Sequence, residues 1–155
     1  MSDAREHEHN WPQRGTLMRN PEHADITGAS NFSTTTTGSW VTITANSKTL
    51  QIVITPDADC RIEVVLRIAA SHSAADAAYN VGVDVNGAIT GRSVAPTNGA
   101  AAEILSIAPV ICEFAATAGT TYTITGKAIN YKAGTLTVYN TGDVTELYIK
   151  VFKKP

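Results

Sequence analysis

The sequence predicts an all-β domain, an antiparallel β-sandwich, preceded by an extended N-terminal arm. Three observations predict it. Alternation of apolar and polar residues recurs from Phe32 to the end of the chain. Turn-forming pairs punctuate that alternation at spacings of roughly 8–15 residues. The one helical-looking patch, Ala74 to Ala78, is too short to make a helix.

Taken in order, Ser33 to Ser39 is Thr-rich and favours extended backbone, and Trp40 to Ile43 alternates weakly. Leu50, Ile52 and Ile54 share one face, and Pro56-Asp57 then turns the chain. Ile62, Val64, Leu66 and Ile68 alternate with Arg61, Glu63, Val65 and Arg67, the cleanest period-two stretch. Tyr79, Val81, Val83 and Val85 face one way and are followed by Asn86-Gly87, a type I′ hairpin signal. Residues 91–101 read as a loop. Ile104 to Phe114 is a strand whose Pro109 calls for an edge or a bulge. Tyr122, Ile124 and Ala128 make the next strand, with Gly126 expected at a bulge. Leu136 and Val138 follow Gly134, Thr141-Gly142 turns the chain, and Leu147, Ile149 and Val151 close it. About eight strands in two sheets is the pattern of a jelly roll.

Residues 1–30 differ from everything after them. They hold three of the four histidines and one of the two tryptophans, show no periodicity, and carry Trp11-Pro12 and Asn20-Pro21. They are expected to form an extended anchoring arm, with His7, His9, Trp11, Leu17 and Met18 as its contact residues. The sandwich is expected over 31–155.

Composition narrows the function. Charged residues are only 17% of the chain, below the roughly 25% usual for soluble domains, as expected of a surface partly covered by partners. The net charge is −2, and the longest basic run is Lys153-Lys154, so a nucleic-acid partner is not expected. Neither is a membrane, because no apolar run reaches the ~18 residues of a spanning helix. The first 15 residues have no apolar secretory stretch, so synthesis in a cytoplasm is expected. Cys60 and Cys112 are expected to be buried free thiols, with a disulfide as the lesser alternative.

No nucleophile elbow, zinc-protease helix, phosphate loop or dinucleotide fingerprint is present. Asp57 and Asp59 flank a turn without the further oxygen ligands of a calcium loop. His72, in Ser71-His72-Ser73, is expected in a solvent-exposed loop, and Asp76 and Asp84 have no evident partner. His7-Glu8-His9 presents two imidazoles on one side of an extended segment, as a metal site on a three-fold axis would need; hydrogen bonding to a neighbour is the plainer expectation. No catalytic residue, cofactor or resident metal is expected.

Tyr131, Tyr139, Tyr148 and Phe152 fall on the last strands. Tyr148 and Phe152 alternate with Leu147, Ile149 and Val151, so the terminal strand is apolar on both faces. Such strands are usually covered on both faces. The outer cover is expected to be another subunit; a second core layer under the arm and an aromatic sugar platform are the alternatives.

The segments Ala118-Gly-Thr-Thr-Tyr-Thr-Ile-Thr-Gly-Lys127, Gly134-Thr-Leu-Thr-Val138 and Leu147-Tyr-Ile-Lys-Val151 resemble the C-terminal half of small phage-encoded jelly-roll virion proteins. Asn31-Phe-Ser-Thr34 and Val81-Gly-Val-Asp-Val-Asn-Gly87 resemble the same group, which is distantly similar to TNF- and C1q-like trimers. The resemblance covers roughly residues 30–155. It implies a homotrimer on a virion surface that touches the major capsid protein or neck or tail proteins, as a head decoration (cement) or fibre protein. It transfers no functional residue. The alternative is a receptor-binding or carbohydrate-binding module of a tail fibre, with loops 71–78 and 91–101 as its recognition surface. A cupin-like enzyme would need a histidine set on its strands, and His72 is the only histidine beyond residue 23.

Overall fold

The computed structural model describes residues 17–25, 31–45, 47–93, 97–140 and 145–153. Thirteen strand segments run in order: β1 (Leu17–Asp25), β2 (Phe32–Thr34), β3 (Trp40–Thr42), β4 (Thr44–Ala45), β5 (Lys48–Thr49), β6 (Gln51–Ile54), β7 (Cys60–His72), β8 (Tyr79–Val85), β9 (Ala88–Arg92), β10 (Leu105–Ala116), β11 (Tyr122–Asn130), β12 (Leu136–Val138) and β13 (Glu146–Lys153).

These segments reduce to eight principal strands. β3 and β6 both pair with β11, and the short β4–β5 hairpin leaves the sheet between them. Ile43 and Leu50 close the base of that hairpin, the Leu50 N–H donating to the Ile43 carbonyl at 2.9 Å. Likewise β12 and β13 both pair with β7, at Ala70–His72 and Cys60–Arg67, while β2 extends the sheet beside β12. One sheet then runs β1–β13–β7–β10 and the other β3/β6–β11–β8–β9. Numbered along the chain, the two orders are 1-8-3-6 and 2-7-4-5, the double Greek key of a jelly roll.

Alternation explains the burial. On β7, Cys60, Ile62, Val64, Leu66, Ile68, Ala70 and His72 point inward and are all buried. They meet Tyr79, Val81 and Val83 of β8, Ile124 and Ala128 of β11, and Leu147, Ile149 and Val151 of β13. Each such aliphatic side chain contributes about 1.5–3 kcal/mol by leaving water. The Asn86-Gly87 turn follows its sequence signal: both residues have positive φ, 51° and 92°, as a type I′ turn requires. Pro109 falls where the β10–β7 register shifts, between Ile107 and Val110, and β10 has only β7 beside it among the described residues. The missing N–H of proline is harmless in both respects.

Three expectations are corrected. Leu17–Asp25, assigned with the arm, is a strand pairing with β13. Its register shifts between Arg19 and Glu22, across Asn20-Pro21; an irregular edge strand accommodates the proline that a central strand would not. His72 is not a loop residue. The small residues Ala69-Ala70-Ser71 carry β7 onward, and His72 takes an inward position with no exposed surface. Its Nδ1 accepts the Ala74 N–H at 3.0 Å. Gly126 is not a bulge, because β11 pairs with β8 without a shift from Ile124 to Asn130. Gly126 instead marks the opposite edge of β11, where β6 gives way to β3 as its partner.

Burial also sets a pH response. Burial, with the charge of Glu103 as a lesser cause, pushes the Tyr79 hydroxyl up to about 12, and burial pushes the Cys112 thiol up to about 11. In an unfolded chain these groups titrate near 10 and 8.5, so above that range the unfolded state has released protons that the folded state keeps. Unfolding free energy therefore falls with rising pH. Stability should hold up to about pH 8.5, then decline through about pH 12. Tyr79→Phe should flatten the part above pH 10 in denaturant titrations. An unchanged decline in that variant would remove Tyr79 as a cause.

Candidate functional site

The outer face of the first sheet is banded. Register places Ile111, Val65 and Tyr148 in one row across β10, β7 and β13. Glu113, Glu63 and Lys150 form the next row, and Ala115, Arg61 and Phe152 the one beyond it. On the other side of the apolar row, Arg67 pairs with Glu146. Ion pairs knit the bands together: Arg67 Nη1 to Glu146 Oε1 at 2.9 Å, Lys150 Nζ to Glu63 Oε1 at 3.0 Å and Arg61 Nη1 to Glu113 Oε2 at 3.5 Å. Arg67 Cζ and Lys150 Nζ lie 5.6 and 5.7 Å from the centre of the Tyr148 ring, and Arg61 Cζ lies 5.3 Å from that of Phe152. The chain's own cations thus cover part of both rings, each contact contributing about 0.5–1 kcal/mol where exposed. Val65 is buried between its neighbours, whereas Ile111 stays 63% exposed.

The four aromatic candidates therefore separate. Tyr148 and Phe152 share this face. Tyr139 joins its margin, its backbone N–H donating to the Ala69 carbonyl and its hydroxyl 3.0 Å from Ser71 Oγ. Tyr131 does not: it continues the outward register of β11 on the other sheet and is 49% exposed. Of the arm residues, the Leu17 backbone pairs with Phe152 and Met18 follows it on β1. His7, His9 and Trp11 lie outside the described residues, and with them the metal question at His7-Glu8-His9.

Sequence reading missed the outer face of the second sheet. There Trp40 of β3 pairs with Ile129, and its ring leans across to β8. An added β-carbon on Gly82 would meet Trp40 Cη2 at 3.0 Å and the Gly91 carbonyl oxygen at 2.9 Å, so glycine is what admits the indole. Beside the ring lies an open groove of about 280 Å³ lined by Trp40, Ile89, Thr90, Gly91 and Arg92. Asp84, for which the sequence offered no partner, is buried here: Oδ2 meets Lys127 Nζ at 2.9 Å and Oδ1 accepts the Gly87 N–H at 2.8 Å. The register shift between Val83 and Asp84 re-aims β9 at this point. A Gly-x-Asp alternation opposite a lone Trp was the available signal, but cross-strand register is needed to read it.

The loops expected to form a recognition surface are tied to one another by a buried amide. Asn98 Nδ2 donates to the carbonyls of Ala74 and Ala100 at 2.9 and 2.8 Å, and Oδ1 accepts the Ala77 N–H at 3.0 Å. Asp59 serves a turn, its Oδ1 accepting the Ala118 N–H at 2.9 Å. Cys60 and Cys112 are both free. Cys112 pairs with Val64, four positions from Cys60 along β7, or about 13 Å, which no disulfide spans.

No family model and no curated protein matches the chain. Among solved structures, a chain from the structure of infectious bursal disease virus Gx strain is similar at a TM-score of 0.32 and 10% identity. The match covers 87% of this chain and 37% of that one, so this chain spans little more than a third of that chain's length. At that level the likeness identifies neither a family nor a function.

Proposed function

We propose that this protein is a non-enzymatic structural component of a bacteriophage virion, a capsid decoration (cement) or head or neck fibre protein. It associates with copies of itself, as a homotrimer, through the banded face of the first sheet, and docks through the segment ahead of β1. The observation that carries this reading is the Ile111–Val65–Tyr148 row flanked by charged bands. Three cations (Arg61, Arg67, Lys150) and three anions (Glu63, Glu113, Glu146) leave that face electrically neutral among the residues named. Self-association there meets no net repulsion, while the charges fix a register. The resemblance of the last three strands to small phage jelly-roll proteins supplies the setting.

Light scattering after size exclusion tests the association. Full-length protein should have the mass of three 16.4 kDa chains. Ile111→Glu should reduce it to one chain that keeps a cooperative melting transition, because Ile111 is 63% exposed and contributes little to the core; the melting temperature should fall only by what association adds to the wild type. Wild-type protein that stays monomeric at about 100 µM, far above the micromolar Kd typical of weak specific association, would sink the self-association. Docking is tested by deleting residues 2–15, which stops short of β1: attachment to the particle should be lost, and retained attachment would sink the docking role.

A further inference from the structure

We propose that the Trp40 groove binds a carboxylate-bearing pyranose unit of a glycan. This goes beyond the assembly role and stands whether or not that role holds.

The groove is built by register. Outward positions align as Trp40–Ile129–Asn80, then Thr42–Lys127–Gly82–Arg92, then Thr125–Asp84–Ile89. Trp40 leans from its own row onto the empty position of Gly82, which brings the partly exposed indole to the same groove as Arg92. The ring forms one wall and β9 the other. A pyranose presents an apolar face of C–H groups to an aromatic π face, whose quadrupole is negative. Its polar rim would then turn toward Arg92 and the hydroxyl of Thr90. The volume of about 280 Å³ lies at the lower end of small-molecule sites and has room for one sugar ring.

Charge selects the kind of sugar. Lys127 is neutralised by Asp84 at 2.9 Å. Arg92 is exposed, and its guanidinium makes no ion pair or hydrogen bond among the described residues. A guanidinium binds a carboxylate through two parallel hydrogen bonds. One such cation beside a buried Asp84 suits a single carboxylate and disfavours a polyanion such as a nucleic acid, which needs several phosphate contacts.

The test uses full-length protein carrying Trp11→Phe, so that Trp40 alone reports by fluorescence. Tetragalacturonate is the acidic probe and maltotetraose the neutral one. Tetragalacturonate should change the emission saturably, with half-saturation on the order of 1 mM. Arg92→Gln, an exposed change that leaves the fold intact, should weaken that binding at least about tenfold, as loss of a charge-assisted pair does. Trp40→Ala, followed by calorimetry and checked for an intact melting transition, should abolish it. The proposal is overturned by an absence of saturation with tetragalacturonate, by equal binding of maltotetraose, or by full affinity in Arg92→Gln.

Discussion

Asn98→Ala is expected to lower the unfolding free energy by about 3 kcal/mol or more. Asn98 has no exposed surface, and its side chain joins four backbone groups, the Ala77 N–H and the carbonyls of His72, Ala74 and Ala100. Alanine returns none of these bonds and opens too little space for water to replace them all. The buried Ala77 N–H left without its partner costs about 1–3 kcal/mol, and the lost bonds to the carbonyls, of which that of Ala100 keeps the Glu103 N–H at 3.3 Å, add about 0.5–1.5 kcal/mol each. For a chain of this size that corresponds to a fall of about 6–12 °C in melting temperature, at 2–4 °C per kcal/mol. Calorimetry checks it. A shift under 2 °C would mean that the loops hold each other by other contacts, such as the Ala102 N–H to the His72 carbonyl at 2.8 Å and the Asp76 N–H to the Asn98 carbonyl at 2.8 Å. The distinction bears on function. Loops pinned through a buried amide are poor candidates for adaptable recognition, which moves attention from the 71–78 and 91–101 loops to the sheet faces.

Much of this was legible in the sequence, and the boundary follows a physical line. Period-two alternation marks which side chains of β7, β8 and β13 face inward, because the strand itself imposes that period. The Asn86-Gly87 hairpin and the Pro109 irregularity were equally readable, since local backbone chemistry decides both. What alternation cannot supply is which strand lies beside which. Trp40 is far in the chain from Gly82 and Arg92, which face each other across the Asn86-Gly87 hairpin; the three make a groove only once β3, β11, β8 and β9 are laid in order. The same holds for Asp84 and Lys127. Tyr148 and Phe152 were read correctly as outward-facing, but the cations that partly cover them, Arg61 and Arg67, come from β7. His72 and β1 were misjudged for a local reason: histidine, proline and alanine are weak strand signals, and sheet pairing overrode them.

Gly126→Ala is expected to destabilise the fold by about 1–3 kcal/mol, the range for overpacking a filled core. The added methyl would sit 2.6 Å from Leu50 Cδ2, 3.1 Å from Leu50 Cγ and 3.3 Å from Leu66 Cδ1. A flexible leucine would ordinarily swing aside. Here Leu50 has no exposed surface and Leu66 only 1%, so neither has space to enter. The backbone holds Leu50 as well: its N–H donates to the Ile43 carbonyl, and its carbonyl accepts the Gly126 N–H at 2.8 Å. Glycine is therefore required where the chain returns from the β4–β5 hairpin and one edge of β11 changes partner. A double-mutant cycle separates this cause from others. Leu50→Ala alone should cost about 2–5 kcal/mol through the cavity it leaves. Combined with Gly126→Ala, the new methyl partly fills that cavity and meets no clash, so the pair should cost less than the sum by roughly 1 kcal/mol or more. Simple additivity would show that Gly126 is needed for its backbone and not for the space it concedes to Leu50.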